Sequence, residues 1–245
     1  MSLKRIDRGR GHSYLLDGQK ADGVTTLISD GIPKPALINW AANTTAAYAV
    51  DHFDELAEEP PSKRLDILKR ARYMDLDAAG RRGTEVHALA EKLAHGEEVD
   101  VPDELAGHVE SAVKFLDAWN PEVLRTETVV ASRAWRFAGT FDLLMRLPDG
   151  RVVLADWKTS RSGIFGETSL QLGAYANAEV YLDGAEEKPV AELGITHGMA
   201  LWIRADGYAV YPVDLERGFK VFKHVAWLAR QCKTLSDTIG EEIYA

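Results

Sequence analysis

One cysteine, Cys232, in a chain of 245 residues rules out several chemistries together. A single thiol excludes an internal disulfide, a four-cysteine zinc site and a cysteine-ligated iron–sulfur cluster. A reducing, cytoplasmic setting is the simplest expectation. Long apolar runs are missing too: none approaches the roughly 20 residues of a membrane span, so no membrane partner is expected. The opening, MSLKRIDRGRGHSYLLDG, lacks the apolar segment of a secretory signal. There is no internal repeat and no low-complexity tract. Positive charge is in deficit, with 29 Lys and Arg against 38 Asp and Glu, a net charge of −9. That balance argues against a protein that coats nucleic acid non-specifically. It leaves room for an enzyme that meets nucleic acid through a local basic rim. Arg81, Arg82, Arg133, Arg136 and Arg161 are the rim candidates, although each alone reads as a solvated surface charge.

What the chain does have is a stretch from Gly139 to Lys158, GTFDLLMRLPDGRVVLADWK. Two β-like runs, FDLLMRL and RVVLADWK, are joined by Pro148-Asp149-Gly150, which is strong turn chemistry. Side chains alternate along a strand, so Asp156 and Lys158 share one face and Trp157 takes the other. A turn centred on Asp149 sets position 142 opposite position 156, crowding two carboxylates and an ammonium into one patch. Like charges on neighbouring strands are unfavourable, and a divalent cation would make the arrangement favourable. The register is decisive. A two-residue Asp-Gly loop would throw Asp142 to the wrong face, so this reading requires a three- or five-residue loop or a bulge at Pro148–Arg151. The alternative is an ordinary hairpin with acidic ends, but Asp156 and Lys158 interrupt the run well before any turn signal.

The first half reads mostly helical. Helices are expected over Pro35–Asp51 (Leu37, Trp40 and Ala41 at helical spacing), Ser62–Asp77, Thr84–Ala94 and Asp103–Trp119, with a loop at Glu58–Ser62. The middle switches to period two. Strands are expected over Glu122–Ser132, Arg136–Leu147 and Arg151–Thr159, then a helix over Glu167–Leu182. Two further strands, Gly194–Arg204 and Gly207–Val213, precede an amphipathic helix over Leu215–Leu235. The expected architecture is α/β of the α+β kind: a central mixed sheet with an antiparallel three-strand meander, covered by helices on both faces. One domain is expected over residues 1–245, with a helical part over about 1–120, a core over about 84–213 and a closing helix over about 214–238.

Three more polar elements accompany the hairpin. His87, with Glu91 one turn on, lies beside the apolar stripe of RGTEVHALAEKL; alone, such a histidine is more often structural, and Glu91 reads as a surface carboxylate. Gln171 and Tyr175 stack one turn apart in SLQLGAYANAEVY. The loop Thr159-Ser160-Arg161-Ser162-Gly163 offers hydroxyls, amides and a guanidinium suited to phosphate oxygens, or is a plain polar connector.

Taken together, R-G-T-E-V-H, GT-F-D, D-W-K and Q-L-G-A-Y, in that order, resemble the RecB-type branch of the PD-(D/E)XK nuclease superfamily, and GVTTLISDGIPKPALINWAA resembles phage exonuclease-like members. The resemblance spans about residues 23–182; a lone D-x-K would be weak, four ordered motifs much stronger. It implies a restriction-endonuclease-like core and a Mg²⁺- or Mn²⁺-dependent DNA nuclease, an exonuclease in recombination or repair. It assigns His87, Asp142 and Asp156 as metal ligands, with the Trp157 carbonyl as a further one. Asp142, Asp156 and Lys158 become catalytic, Lys158 positioning water and offsetting charge at phosphorus. Gln171 and Tyr175 steady the strand end or the lysine and, with Thr159 and Arg161, form the DNA-side group. Phe141 stands where the family has proline. The cysteines of iron–sulfur-bearing relatives are absent. Two aspartates with phosphate oxygens suit Mg²⁺, and a histidine makes Mn²⁺ equally suitable. DNA is the expected partner, with a homo-oligomer or a recombination partner protein left open. The competing expectation is a non-catalytic nucleic-acid-binding or assembly module that kept the fold.

Overall fold

The structure, a computed structural model, describes residues 2–9 and 11–243, with all side chains among them except those of residue 8 and residues 74–79. The chain divides into two compact units, one of Met1–Ile32 with Val86–Ala245 and the other of Pro33–Glu85. In the smaller unit, α2 (Pro35–Asp51) and α3 (Phe53–Ala57) lead into α4 (Pro61–Ala94), whose last turns belong to the larger unit. Proline opens both long helices, where its missing N–H costs nothing. The apolar stripe expected on α2 is not a buried one: no α2 residue is buried, and Leu37 is half exposed. The expected helices Ser62–Asp77 and Thr84–Ala94 are one continuous helix. Gly80 and Gly83 lie inside it, because a glycine weakens a helix by about 1 kcal/mol without ending it.

The larger unit is built on a ten-stranded mixed sheet. The start, in a half of the chain expected to be mostly helical, forms three antiparallel strands, β1 (Leu3–Arg8), β2 (Gly11–Leu16) and β3 (Gln19–Gly23). The alternation of Tyr14 and Leu16 inward was the available signal. After α1 (Val24–Gly31), the end of α4 and α5 (Ala106–Trp119) comes the expected meander: β4 (Glu122–Ser132), β5 (Phe137–Arg146) and β6 (Val152–Lys158). Its turn has three residues. Leu147 N–H donates to the Arg151 carbonyl at 2.9 Å, Asp149 Oδ1 accepts from Arg151 N–H at 3.0 Å, and Gly150 takes φ +88°. Glycine is the residue for that left-handed position. The register that follows runs from Arg146↔Val152 to Leu143↔Ala155, the frame that points position 142 at position 156.

The helix expected over Glu167–Leu182 stops at Ala176 as α6 (Glu167–Ala176). Asn177 donates its side-chain amide to the Gly173 carbonyl, closing the helix. Glu179 then accepts from Ser132 Oγ and from the N–H groups of Arg133 and Ala134, so Val180–Asp183 becomes β7, paired to β4, with β8 (Glu186–Pro189) beside it. The strand β9 (His197–Arg204) begins later than expected because Gly194 is left-handed. With β10 (Gly207–Val213) it forms the last hairpin, and α7 (Leu215–Thr234) closes the unit, capped by Asp214 accepting from Arg217 N–H.

Among the described residues there are three apolar clusters: a smaller one holds Leu3, Tyr14, Leu16 and Ala138 beside the N-terminal strands, and the two larger ones lie on opposite faces of the sheet. Phe137, Phe141 and Leu154 pack under α1, α6 and α7, with Tyr175 and Phe222. Leu143, Met145, Ala155 and Trp157 pack under α5 and the end of α4, with Val86, Ala90 and Phe115. Helices therefore cover both faces, as expected.

Candidate functional site

The site grows from a break in the sheet. One edge of β5 pairs with β3 at Phe137 and Ala138, and with β6 from Leu143 onward. Between those contacts, residues 139–142 have no strand partner on that edge, so the sheet forks. The alternation of β5 also changes there: Phe141 belongs to one core and Leu143, two residues on, to the other. Glu127, across β4 between the pairs Thr126↔Leu143 and Thr128↔Phe141, is a non-glycine residue at φ +42°. Such backbone costs about 1–3 kcal/mol and tends to mark functional sites.

Asp142 stands in the fork. Its Oδ2 accepts the Trp157 N–H at 3.0 Å, a group that has left the β5–β6 ladder, and lies 3.4 Å from His87 Nδ1. His87 arrives from α4 on one side of the sheet. Asp156 is almost fully buried and meets α6 on the other side: its Oδ1 accepts from Gln171 Nε2 at 2.9 Å, and its Oδ2 is 2.5 Å from Lys158 Nζ. The Lys158 ammonium is thus the partner of this buried oxygen, and no other donor reaches it. Lys158 Nζ also donates to Gln171 Oε1 at 3.1 Å. Gln171 thus ties the lysine to the aspartate. Its Nε2 lies 3.4 Å from the Tyr175 hydroxyl.

The electrostatics follow from this crowding. Burial first, and the Asp156 charge second, push the Asp142 carboxyl well above its ordinary value, against the pull of Lys158 and the Trp157 N–H. Burial lowers the His87 imidazole below its ordinary 6.5, helped by Lys158 and opposed by Asp156. Burial raises Tyr175 well above a free phenol, keeping it neutral. A neutral imidazole nitrogen and two carboxylates form a mixed donor set in which Lys158 offsets only one of the two negative charges. Among the described residues, no three His, Cys, Asp or Glu side chains are arranged to hold an ion as they stand. Asp156 faces Lys158 and Gln171, whereas His87 and Asp142 face each other. The donor set still fits a divalent cation chemically, since Asp156 Oδ2 has a lone pair to offer and added positive charge would relieve the raised Asp142.

The other expected residues are placed as follows. The Trp157 ring is buried against Phe115, edge to face at 5.6 Å between centroids. Thr159 is half-buried and Arg161 exposed in the loop after β6, which Trp202 anchors by donating from Nε1 to the Ser160 carbonyl at 2.7 Å. Two of the rim candidates are engaged elsewhere. Arg133 pairs with Asp17 and Glu187, and Arg136 donates to Gln19. Arg81 and Arg82 lie in the smaller unit. Glu91, read as a surface carboxylate, accepts from Thr126 Oγ1 at 2.8 Å. Nothing in the local sequence marks Gly139 as more than part of its motif. A Cβ there would lie 2.3 Å from Tyr175 Cε1, so the glycine makes room for the ring. Arg5, Tyr14, Glu127 and Thr140, beside the fork, were also missed, since nothing local ties them to the motifs.

No family model matches the chain, and no curated protein matches it. Solved structures similar to it include that of SSO0001, at TM-score 0.31 and 15% identity over 86% of this chain and 74% of that one. Another is an alkaline exonuclease, LHK-Exo, from Laribacter hongkongensis, at TM-score 0.31 and 13% identity over 64% of this chain and 87% of that one.

Proposed function

We propose that this protein is a metal-dependent nuclease that hydrolyses phosphodiester bonds in DNA, acting as an exonuclease, with Mg²⁺ or Mn²⁺ as its cofactor. The observation that carries the reading is the meeting of Asp142, Asp156 and Lys158 at a fork in the sheet, between a histidine helix and a glutamine helix. Asp142 and Asp156 would hold the ion, His87 would complete the set, and the Trp157 carbonyl lies in the same strand. When bound, the cation supplies charge stabilisation at phosphorus and lowers the pKa of water. The chain's own part is positional. Lys158, held by Gln171, presents an ammonium beside Asp156, where charge builds up on the phosphoryl oxygens. Trp157 N–H fixes the Asp142 carboxylate, and the neutral Tyr175 braces Gln171 from below. A half-buried, neutral His87 keeps a lone pair available. Thr159 and Arg161 sit on the loop leaving β6, suited to the sugar–phosphate strand. The setting consistent with this reading is a bacterial cytoplasm or a phage-infected host.

Incubating end-labelled linear, nicked and closed circular DNA with each metal tests it. Cleavage should start from ends, require Mg²⁺ or Mn²⁺, and fall at least a hundredfold in Asp156→Ala, on the scale of losing an essential electrostatic group (~10²–10³). Metal-dependent cleavage that survives Asp156→Ala in a clean preparation would falsify the assignment.

A further inference from the structure

We propose that Arg5, Tyr14 and Thr140 form a subsite for an internal phosphodiester of the DNA strand, next to the phosphate being cut, and that Glu127 holds Arg5 in place until the strand arrives. This inference rests on the nuclease reading. Tyr14 Oη and Thr140 Oγ1 are 2.9 Å apart, and Arg5 Nη1 donates to Thr140 Oγ1 at 3.3 Å. The Arg5 guanidinium and the Thr140 hydroxyl, the latter backed by the buried Tyr14 hydroxyl, thus converge on one point, a donor set with the chemistry of a phosphate site. Arg5 and Tyr14 face each other across β1 and β2, so the N-terminal hairpin delivers both.

Thr140 precedes Asp142 by two residues on β5, about 7 Å by strand rise. That is one nucleotide's step along a sugar–phosphate chain. The subsite therefore lies where the neighbouring phosphate of a strand seated at Asp142 would fall. The Tyr175 ring packs against Gly139, the residue before Thr140, and Glu127 lies across from β5 between Phe141 and Leu143, which places both ends of the group beside the fork.

Arg5 is not idle without DNA. It pairs with Asp7 at 2.9 Å and with Glu127 at 3.4 Å. The Glu127 contact is long, partly exposed and made from a left-handed backbone. A phosphate, with oxygens free to align on the guanidinium, is the better partner. The rim residues predicted from sequence do not fill this role, since Arg133 and Arg136 are bonded elsewhere.

The test measures binding of a short fluorescein-labelled DNA strand across a salt series, in an Asp156→Ala background so that the strand stays whole, together with KM and kcat in the otherwise unaltered enzyme. Arg5→Ala should weaken binding about tenfold, the scale of one charge-assisted hydrogen-bonded contact, and reduce the salt slope by about one. KM should rise while kcat stays within about twofold, the pattern of lost uniform binding. Arg5→Lys should recover part of the affinity. Glu127→Gln should tighten binding by about two- to fivefold, the reach of one exposed ion pair. Arg5→Ala combined with Glu127→Gln should show no such gain. That gain cannot come from a damaged fold, so it decides the matter even if Arg5→Ala is unstable. Unchanged affinity and salt slope in Arg5→Ala, with cleavage intact, overturns the subsite and leaves the nuclease reading standing. A loss confined to strands bearing a terminal phosphate overturns the internal placement. Cleavage that ignores Asp156 sinks the nuclease reading, and the salt slope then decides on Arg5 by itself.

Discussion

Asp142 is where stability and function oppose each other. Its folded-state pKa is raised, so its share of stability is fully present below the ordinary 3.8 and is lost as pH rises through the raised value. At neutral pH the charged form is a burden that a cation would lift. Asp142→Asn keeps an oxygen for the Trp157 N–H and removes the repulsion. It should stabilise the protein in a chelator by roughly 1 kcal/mol, about 2–4 °C in Tm at this chain length, and on the proposed nuclease reading it should abolish metal-dependent cleavage. Thermal denaturation in a chelator reads this directly, and a lower Tm for the variant contradicts the account. His87 has the opposite sign: its contribution is present above 6.5 and is lost as pH falls through its lowered value. Among single residues, Asp156 and Lys158 were legible because they interrupt an apolar run. Gly139 was not, because its need arises from the Tyr175 ring on a helix far along the chain.

At the scale of elements, the position of α6 decides whether Gln171 can reach Asp156, and two glycines hold it there. A Cβ on Gly218 would come 2.0 Å from the Ser169 carbonyl oxygen, and one on Gly173 would come 2.4 Å from the Phe219 nitrogen. Backbone meets backbone at both points, so α6 and α7 cannot adjust by moving a side chain. Gly218→Ala should therefore cost about 3 kcal/mol or more, at or beyond the upper end of overpacking effects, and lower kcat by displacing Gln171. Gly139→Ala should cost less, about 1–3 kcal/mol, because the obstacle there is a side chain. Urea denaturation of both variants checks the order, and the reverse order would contradict it. The boundaries of α2, β4 and β10 matched their periodic patterns closely. The end of α6 did not, since Leu170 to Leu182 reads as one apolar helix until Tyr181 finds a partner strand.

Across the larger unit, ion pairs join parts far apart in sequence. Arg133 binds Asp17 and Glu187, and Glu187 accepts the Leu3 N–H at 2.6 Å, so the N-terminal hairpin, the β4–β5 turn and β8 share one network. The Asp17 carboxyl is lowered from 3.8 to about 2, first by its hydrogen bond from Arg133 and then by the Ser2 N–H. A lowered carboxyl contributes stability that is present above the ordinary value and lost as pH falls through the folded one. Tm should therefore drop between about pH 4 and pH 2, and Arg133→Ala should flatten that part of the profile. Equal pH dependence in the two proteins would remove Asp17–Arg133 as its cause. Because the hairpin also carries Arg5 and Tyr14, Arg133→Ala should weaken the proposed DNA binding without touching His87, Asp142 or Asp156.

The residue pattern alone determined the meander, the place of its turn at Pro148-Asp149-Gly150, the polar interruptions of β6 and the helices that flank the sheet, while the three-residue length of that turn came from the structure. Those features depend on neighbours within a few positions: the period of side chains along a strand, the turn preferences of Pro-Asp-Gly, the spacing of an apolar stripe. Only tertiary structure decided that the sheet forks at Asp142, that the first 23 residues add three strands, and that Arg5, Tyr14 and Thr140 meet beside the fork. Each of those outcomes depends on which distant backbone groups find hydrogen-bond partners. Local periodicity does not encode that choice, because a strand's partner is selected by burial and pairing across the whole unit.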